Sequence, residues 1–417
     1  MRRSARIAAF VETIWGWYAV HKRSLPWRDM PIVDANERAY RVLVSEVMLQ
    51  QTHVSRVKII FPDFLRRFPS LLSLAEASNR DVLIAWRSLG YNNRALRLRD
   101  AARQIVGKIQ DPLRLRSSLR PSGFARQAGQ ARSKDEDEGR GVQRYFLDTM
   151  EELTAIPGIG SYTAAAIMNF AFNIPTPCLD TNIRRILHRT FFGPENVDGT
   201  FRVSDGRLLV IASEVLATAI RVSKYKNQIS SIQPKTNPSA ALRVNDRRGL
   251  PASFPPSVQA CEMGRRGGKG VRRDAANWHA ALMDFGSLIQ TKKNPKWDEC
   301  PLTRNGIMET TRRSFCRSTR TPPSPGGQEG GEERGVGGVR KEPGRLISGR
   351  FVPNRIIRGR IVEHLRDCAS GLSMGEIGKR VCSDWFGKRH RKWLRGIVGK
   401  LIKDRLLVQK GKYILLS

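Results

Sequence analysis

The segment LTAIPGIGSYTAAAIMNFAF, residues 153–172, places two glycines two positions apart, behind a proline, between stretches of apolar helical period. A Gly-x-Gly turn that opens a helix aims backbone N–H groups outward, and the helix dipole adds partial positive charge there. With no side chain at Gly158 or Gly160, a phosphate can approach the main chain closely. Such a contact fixes the register of a nucleic acid without reading its sequence. Eighteen residues after Tyr162, in CLDTNIRR, comes Asp180. A carboxylate there, at or just beyond the end of the helix the glycines open, is placed to act on whatever the turn holds. An aspartate before Thr-Asn is also an N-cap signal for TNIRRILHR, and a plain helix-turn-helix corner is the simpler reading of the glycines.

Helices must position these groups, and the flanking sequence supplies them. Residues 1–110 repeat apolar side chains at three- and four-residue spacing, as in YRVLVSEVMLQQTHVSRVKIIFPDFLRRF, and DVLIAWRSLG ends on Gly90, a natural stop. Three stretches, at about 114–141, 222–275 and 310–347, lack a period and are rich in Arg, Ser, Gly or Pro, so each is expected to be a disordered insertion or linker. Ordered islands are expected at 142–221, 276–309 and 351–417. The last reads as helices at about 354–367, 374–382 and 386–405, then the short alternating pieces LLVQ and YILLS around KGK. That order is a winged-helix pattern, with Lys379, Arg380, Lys388, Arg389, Arg391 and Lys392 along its basic face. Strands are otherwise expected to be nearly absent before residue 400.

The chain of 417 residues carries 73 Lys+Arg against 38 Asp+Glu, a formal charge of +35. An excess of that size speaks about partners, and a nucleic acid is the expected polyanion. Six cysteines without a close pair form neither a disulfide framework nor a metal-binding spacing, which fits a reducing cytoplasm. No apolar run reaches the roughly 18 residues a membrane helix needs. The start MRRSARIAAFVETIWGWYAV is broken by Glu12 and reads as an amphipathic helix, not a signal peptide.

Taken together, IPGIGSYTAAAI and CLDTNIRRILHR resemble the helix-hairpin-helix plus Gly/Pro…Asp motif of the endonuclease III superfamily of DNA glycosylases. Upstream, LPWR, SEVMLQQTHVSRV, FPDFLRRFPSLLSLAEAS and SLGYNNRALRLRDAA narrow the resemblance to A/G-specific adenine DNA glycosylases of the MutY type. It covers about 24–112, 142–221 and 276–303, roughly half of the chain, and skips the three aperiodic stretches. The resemblance implies that Glu46 protonates the adenine and later handles the attacking water. It implies that Asp180 stabilises the oxocarbenium-like sugar and that Asn182 helps to hold the site. Tyr162 stands where lyase-competent relatives carry a lysine, and a phenol cannot form a Schiff base, so a monofunctional enzyme is implied. Gly158, Gly160, Ser161 and Thr163 would grip DNA at the hairpin. Trp27 and Arg28 match positions near the base pocket, and Gln50, Gln51 and Tyr91 match residues that wedge into the duplex beside the orphaned base.

The implied chemistry is coherent from below. Cleaving an N-glycosidic bond expels a poor leaving group, so an acid must protonate it, and a carboxylate must face the cationic sugar. The base must leave the stack to be reached. A glutamate in an apolar run such as that around Glu46 would hold its proton more tightly, which suits an acid.

Besides the three aperiodic stretches, two departures from the family stand out. Most relatives hold a [4Fe–4S] cluster on Cys-x6-Cys-x2-Cys-x5-Cys after MDFG; here the four positions are Gln290, Trp297, Cys300 and Gly306, so no cluster and no other metal is expected. The Nudix-like C-terminal domain that recognises 8-oxoguanine also has no counterpart after residue 310, where the basic winged helix stands instead. The expected fold is therefore all-α: a two-lobed helix-hairpin-helix glycosylase domain over 1–309, a disordered linker over 310–350, and a small α+β winged helix over 351–417. The expected protein is a monomeric, cytoplasmic, nucleoid-associated DNA glycosylase of base excision repair that removes adenine mispaired with guanine or 8-oxoguanine. Two alternatives stay open: a glycosylase for thymine or uracil opposite guanine, and a DNA-binding paralogue without catalysis.

Overall fold

A computed structural model describes residues 2–30, 32, 34–110, 146–232, 274–319 and 342–417. In chain order the helices are α1 (Arg3–His21), α2 (Ala35–Leu49), α3 (Val54–Arg67), α4 (Leu71–Glu76), α5 (Asn79–Ala85), α6 (Asn93–Gln110), α7 (Met150–Thr154), α8 (Ser161–Phe170), α9 (Thr181–Phe191), α10 (Asp205–Ile232), α11 (Asp274–Leu288), α12 (Pro301–Arg304) and α13 (Arg312–Thr319). A hairpin follows, β1 (Gly344–Ile347) and β2 (Arg350–Pro353), and then α14 (Asn354–Arg366), β3 (Leu372–Ser373), α15 (Met374–Val381), α16 (Gly387–Lys403), β4 (Leu407–Lys410) and β5 (Tyr413–Leu416). Among the described residues no helix is long and apolar enough to cross a membrane.

The chain divides into two units. The first joins the segment up to Arg23 to the described residues from Met168 to 319. Its core sets Phe10 edge-on against Trp278 and Phe191, and Trp17 edge-on against Phe285. Asp284, with no exposed side-chain surface, receives the Arg23 backbone N–H at 3.1 Å and its guanidinium at 2.7 Å. A buried charge paired and hydrogen-bonded in this way is tolerated where a lone one is not.

The second unit holds Ser24–Ile167 and the described residues from 342 onward. Its helices start where the sequence supplies caps. Asp34 accepts from the Asn36 and Glu37 N–H groups, Ser78 accepts from Asp81, and Ser70 with Ser73 closes a capping box. The C-terminal part runs helix, strand, helix, helix, strand, strand, with antiparallel sheet order β3-β5-β4, which is a winged helix. It packs on α5 and α6 within the same unit. Arg366, 5% exposed, donates to Leu83 O at 2.9 Å and Asn92 Oδ1 at 2.8 Å. Arg87 pairs with Asp367, Arg405 reaches Asp100 at 2.5 Å, and Asn79 donates to Ser417 Oγ at 2.6 Å.

Three expectations need correction. Of the stretch assigned to 222–275, α10 takes the residues to Ile232 and α11 starts at Asp274, while 233–273 lie outside the described residues. The linker assigned to 310–350 instead contains α13, and β1 and β2 pair from Gly344↔Pro353 to Ile347↔Arg350. Strands therefore do occur before residue 400, in that hairpin and at β3. The stretch at 114–141 lies outside the described residues.

Candidate active site

The glycine turn lies in the second unit. α7 is capped by Thr149, which accepts from Glu152 N–H, and the chain then turns through Ile156 and Ile159, both buried. Gly158 has φ +97°, a conformation that a side-chain-bearing residue adopts only under strain. Gly158, Gly160 and Ser161 are exposed, and the first helical bond of α8 runs from Ala164 N–H to Gly160 O at 2.9 Å. Tyr162 is half-buried on the first turn of α8. Thr163, the next residue, is 4% exposed.

Glu46 sits on α2 in the same unit, 8% exposed and flanked by buried Ser45 and Val47. α2 ends at the first of the two expected wedge loops, where Gln50 and Gln51 are exposed and Gln51 has φ 56°. The second wedge residue, Tyr91, is 57% exposed with φ 45° and follows Gly90 at φ 69°. Left-handed backbone at non-glycine residues is strained and persists only where the surroundings over-determine it.

Here Trp86 Nε1 donates to Gly90 O at 3.1 Å and Thr52 Oγ1 to Leu89 O at 3.2 Å, and a third side chain does most of the holding. Arg94 Nη1 donates to Val47 O (2.9 Å), Met48 O (3.1 Å) and Gln50 O, while Nη2 donates to Thr52 Oγ1 (2.8 Å), Leu89 O (3.2 Å) and Gly90 O (3.3 Å). The guanidinium thus occupies the C-terminal carbonyls of α2 and ties both wedge loops together, with the Trp86 and Tyr91 rings each 5.5 Å away. Burial pulls its pKa down to about 10. The sequence contained this residue within LGYNNRA without indicating its role. Trp27 is 7% exposed and packs edge-on against Phe61 at 5.8 Å, so it belongs to the core, while Arg28 is half-buried.

Asp180 and Asn182 lie in the first unit. Asp180 caps α9, accepting from Ile183 N–H at 2.6 Å and from Asn182 Nδ2 at 2.8 Å. Burial raises the Asp180 pKa above its ordinary value, while those two bonds and the Arg185 charge pull it the other way. Arg185 carries the chain of contacts onward. It donates to Asn182 Oδ1 (2.7 Å), Gly286 O (2.8 Å) and Gln290 O (2.5 Å). A Cβ on Gly286 would stand 2.7 Å from Asn182 Cβ, so this glycine is what lets α11 approach α9. The loop leading to Asp180 is fixed by fully buried Asn169, which donates to Thr176 O (2.7 Å) and accepts from Thr176 N–H (3.0 Å). Asn169, Arg185 and Gly286 escaped the sequence reading because their meaning depends on what folds against them.

The four positions where relatives of this type carry cluster cysteines also lie in the first unit, and they do not fit a cluster. Gln290 is fully buried, Trp297 is buried, and Gly306 is exposed at φ 63°. Cys300 alone offers a thiol, which accepts from Gln290 Nε2 at 3.3 Å and lies 3.9 Å from Met308 Sδ. Fully buried Arg189 occupies the middle of this region. It donates to Glu195 (3.0 and 3.1 Å), Gln290 Oε1 (3.1 Å) and Thr291 O (2.9 Å), and lies 4.6 Å from the Phe315 ring centre and 6.0 Å from that of Trp297. Among the described residues no cluster of His, Cys, Asp and Glu could hold a metal ion.

A glycine turn thus opens α8 and an aspartate caps α9, the helix that follows it. Residues 44–201 match the family model described as "HhH-GPD superfamily base excision DNA repair protein". Over that region the chain is similar to the HhH-GPD superfamily. An adenine DNA glycosylase of Mycobacterium tuberculosis is 36% identical over 177 residues, 42% of this chain and 46% of that protein. The human adenine DNA glycosylase is 35% identical over 190 residues, 45% of this chain and 29% of that protein. The chain thus spans about half or less of the length of these curated relatives. A solved thermostable thymine-DNA glycosylase aligns at TM-score 0.43 and 17% identity, over 75% of this chain and 98% of that one.

Proposed function

We propose that this protein is a monofunctional DNA glycosylase that hydrolyses the N-glycosidic bond of adenine paired with guanine or 8-oxoguanine, without an iron–sulfur cluster. The observation that carries the reading is that the matched region, residues 44–201, contains both carboxylates, the hairpin and both wedge loops, with tyrosine and not lysine at position 162. Glu46 delivers its proton to the adenine ring, the C1′–N bond breaks, and the electron pair leaves with the base. Asp180, as the carboxylate, faces the sugar cation; water then adds at C1′ and gives a proton back to Glu46. Asn182 holds Asp180 in place. The exposed hairpin amides take a phosphate, while Gln50, Gln51 and Tyr91 enter the duplex. The partner is double-stranded DNA and the working form a monomer, so the site of action is the nucleoid.

The test is single-turnover cleavage of duplexes carrying A opposite 8-oxoguanine, A opposite G, and T opposite G, read after alkaline work-up. Strand scission that needs alkali and is confined to the adenine duplexes is expected. The Glu46→Gln variant should lose on the order of 10²–10⁴ in rate while still binding duplex. Cleavage only of T opposite G would transfer the enzyme to thymine, and equal rates for wild type and Glu46→Gln would end the enzymatic reading.

A further inference from the structure

We propose that the winged helix is a second duplex-DNA contact, fixed in register with the wedge loops, so that the protein grips the helix at a set distance from the lesion as well as at it. The register part rests on the glycosylase reading; the contact itself does not. α16 exposes Lys388, Arg389, Arg391, Lys392, Arg395, Lys400 and Lys403 and contains no acidic residue. The nearby carboxylates are occupied. Asp404 pairs with Arg358, Asp384 with Arg345, and Glu376 closes the cap of α15. Lys388 and Lys403 are fifteen residues apart, about 22 Å along the axis. A duplex carries one charge per about 1.7 Å of axis, so a helix of that length meets several phosphates.

Two further observations favour a groove over a flat anionic surface. Gly396 and Gly399 are exposed in the middle of α16, and a Cβ at either would meet nothing within 4 Å. No packing among the described residues requires them, and glycine weakens an exposed helix; a surface that must come close to the helix backbone does require them. The β4–β5 turn adds Lys410 and Lys412, the latter 5.3 Å from the Tyr413 ring. A helix with a basic flank fits the roughly 12 Å width of the B-DNA major groove.

The fixed register comes from how the domain is attached. Arg366 reaches from the end of α14 to Asn92, the neighbour of wedge residue Tyr91, and to Leu83 O. Arg87–Asp367 and Arg405–Asp100 brace the same seam. The wedge and α16 therefore move as parts of one unit.

The experiment uses the full chain. Binding of a 30-base-pair undamaged duplex is measured across salt for wild type, for Lys388→Gln/Lys392→Gln/Arg395→Gln, and for Arg389→Gln/Arg391→Gln/Lys400→Gln. Each triple variant should lower the slope of log K against log salt by about 2.7, at about 0.9 per phosphate contact. Hydroxyl-radical footprints on a duplex with A opposite 8-oxoguanine should show an outer protected patch at constant offset, erased by either triple variant and blurred by Arg366→Gln. Unchanged slopes in both triple variants would overturn the contact, and so would tighter wild-type binding to duplex RNA or to vesicles with anionic lipid. An outer patch that keeps its offset in Arg366→Gln would overturn the fixed register. A lowered slope in a protein that cleaves no duplex would leave the contact standing and sink the glycosylase reading alone.

Discussion

Two buried arginines organise the two units by opposite means. Arg94 gathers neutral groups: carbonyls, one hydroxyl and two rings. Arg189 is matched to a carboxylate, Glu195, before it reaches any carbonyl. The difference lies in what each leaves behind when removed. Without Arg94, polar groups lose bonds but no charge is orphaned. Without Arg189, Glu195, itself 8% exposed, is left as a buried anion. The first arrangement suits the loops proposed to enter a duplex, and the second suits a region that only has to stay closed.

The largest expected effect follows directly. Arg189→Met should destabilise the first unit by about 3–5 kcal/mol, the usual cost of breaking a buried pair, whereas Arg189→Met with Glu195→Gln should recover much of that. Thermal unfolding of the single and double variants checks it, and equal losses in both would erase the contrast. Acid should act on the same unit next. His279 is fully buried, its Nδ1–H donates to Ala275 O at 2.9 Å, and burial lowers its pKa to about 4. A depressed histidine contributes stability above its unfolded value near 6.5 that is lost as pH falls toward 4. The full span is about 3 kcal/mol at 1.36 kcal/mol per pH unit. Chemical denaturation at pH 7 and pH 4.5 measures the loss, and His279→Gln should flatten it.

The second unit should respond more gently in stability and more sharply in activity. Arg94→Met is expected to cost about 1–3 kcal/mol, the desolvation of carbonyls left unpaired. By freeing both wedge loops it should also slow adenine excision by roughly 10²-fold, as small misplacements do. If its excision rate matched wild type, Arg94 would be a core residue and nothing more. The smallest change in stability should come from Tyr91→Ala, within about 0.5 kcal/mol as for other exposed sites. That variant should still lose discrimination between A opposite 8-oxoguanine and A opposite T.

What the sequence revealed and what it hid divide along a physical line. Gly158 and Asp180 were legible because each does its work within four residues: a turn with φ above zero, and a side chain capping the helix it precedes. The winged helix was legible because its helices and closing strands carry their own periods. The β1–β2 hairpin was lost in a run of Gly and Arg, since four-residue strands paired only with each other leave little alternation to detect. The last turns of α10, in KYKNQISSI, are polar enough to read as loop. Arg94, Arg185 and Arg189 look in sequence like any of the other basic residues; only the fold shows that carbonyls from distant segments converge on them.

The first unit also imposes an order of events on synthesis. α1 finds its partners Trp278 and Phe285, and Arg23 its partner Asp284, on α11, which leaves the ribosome some 250 residues later. At 5–20 residues per second α1 waits roughly 15–50 s for α11, with Phe191 and Ala219 the partners that reach it sooner. Ile7, Phe10, Val11, Ile14 and Trp17, all buried in the finished protein, form the apolar face of α1. The nascent chain thus carries an incompletely covered apolar helix until the later helices of the unit are made.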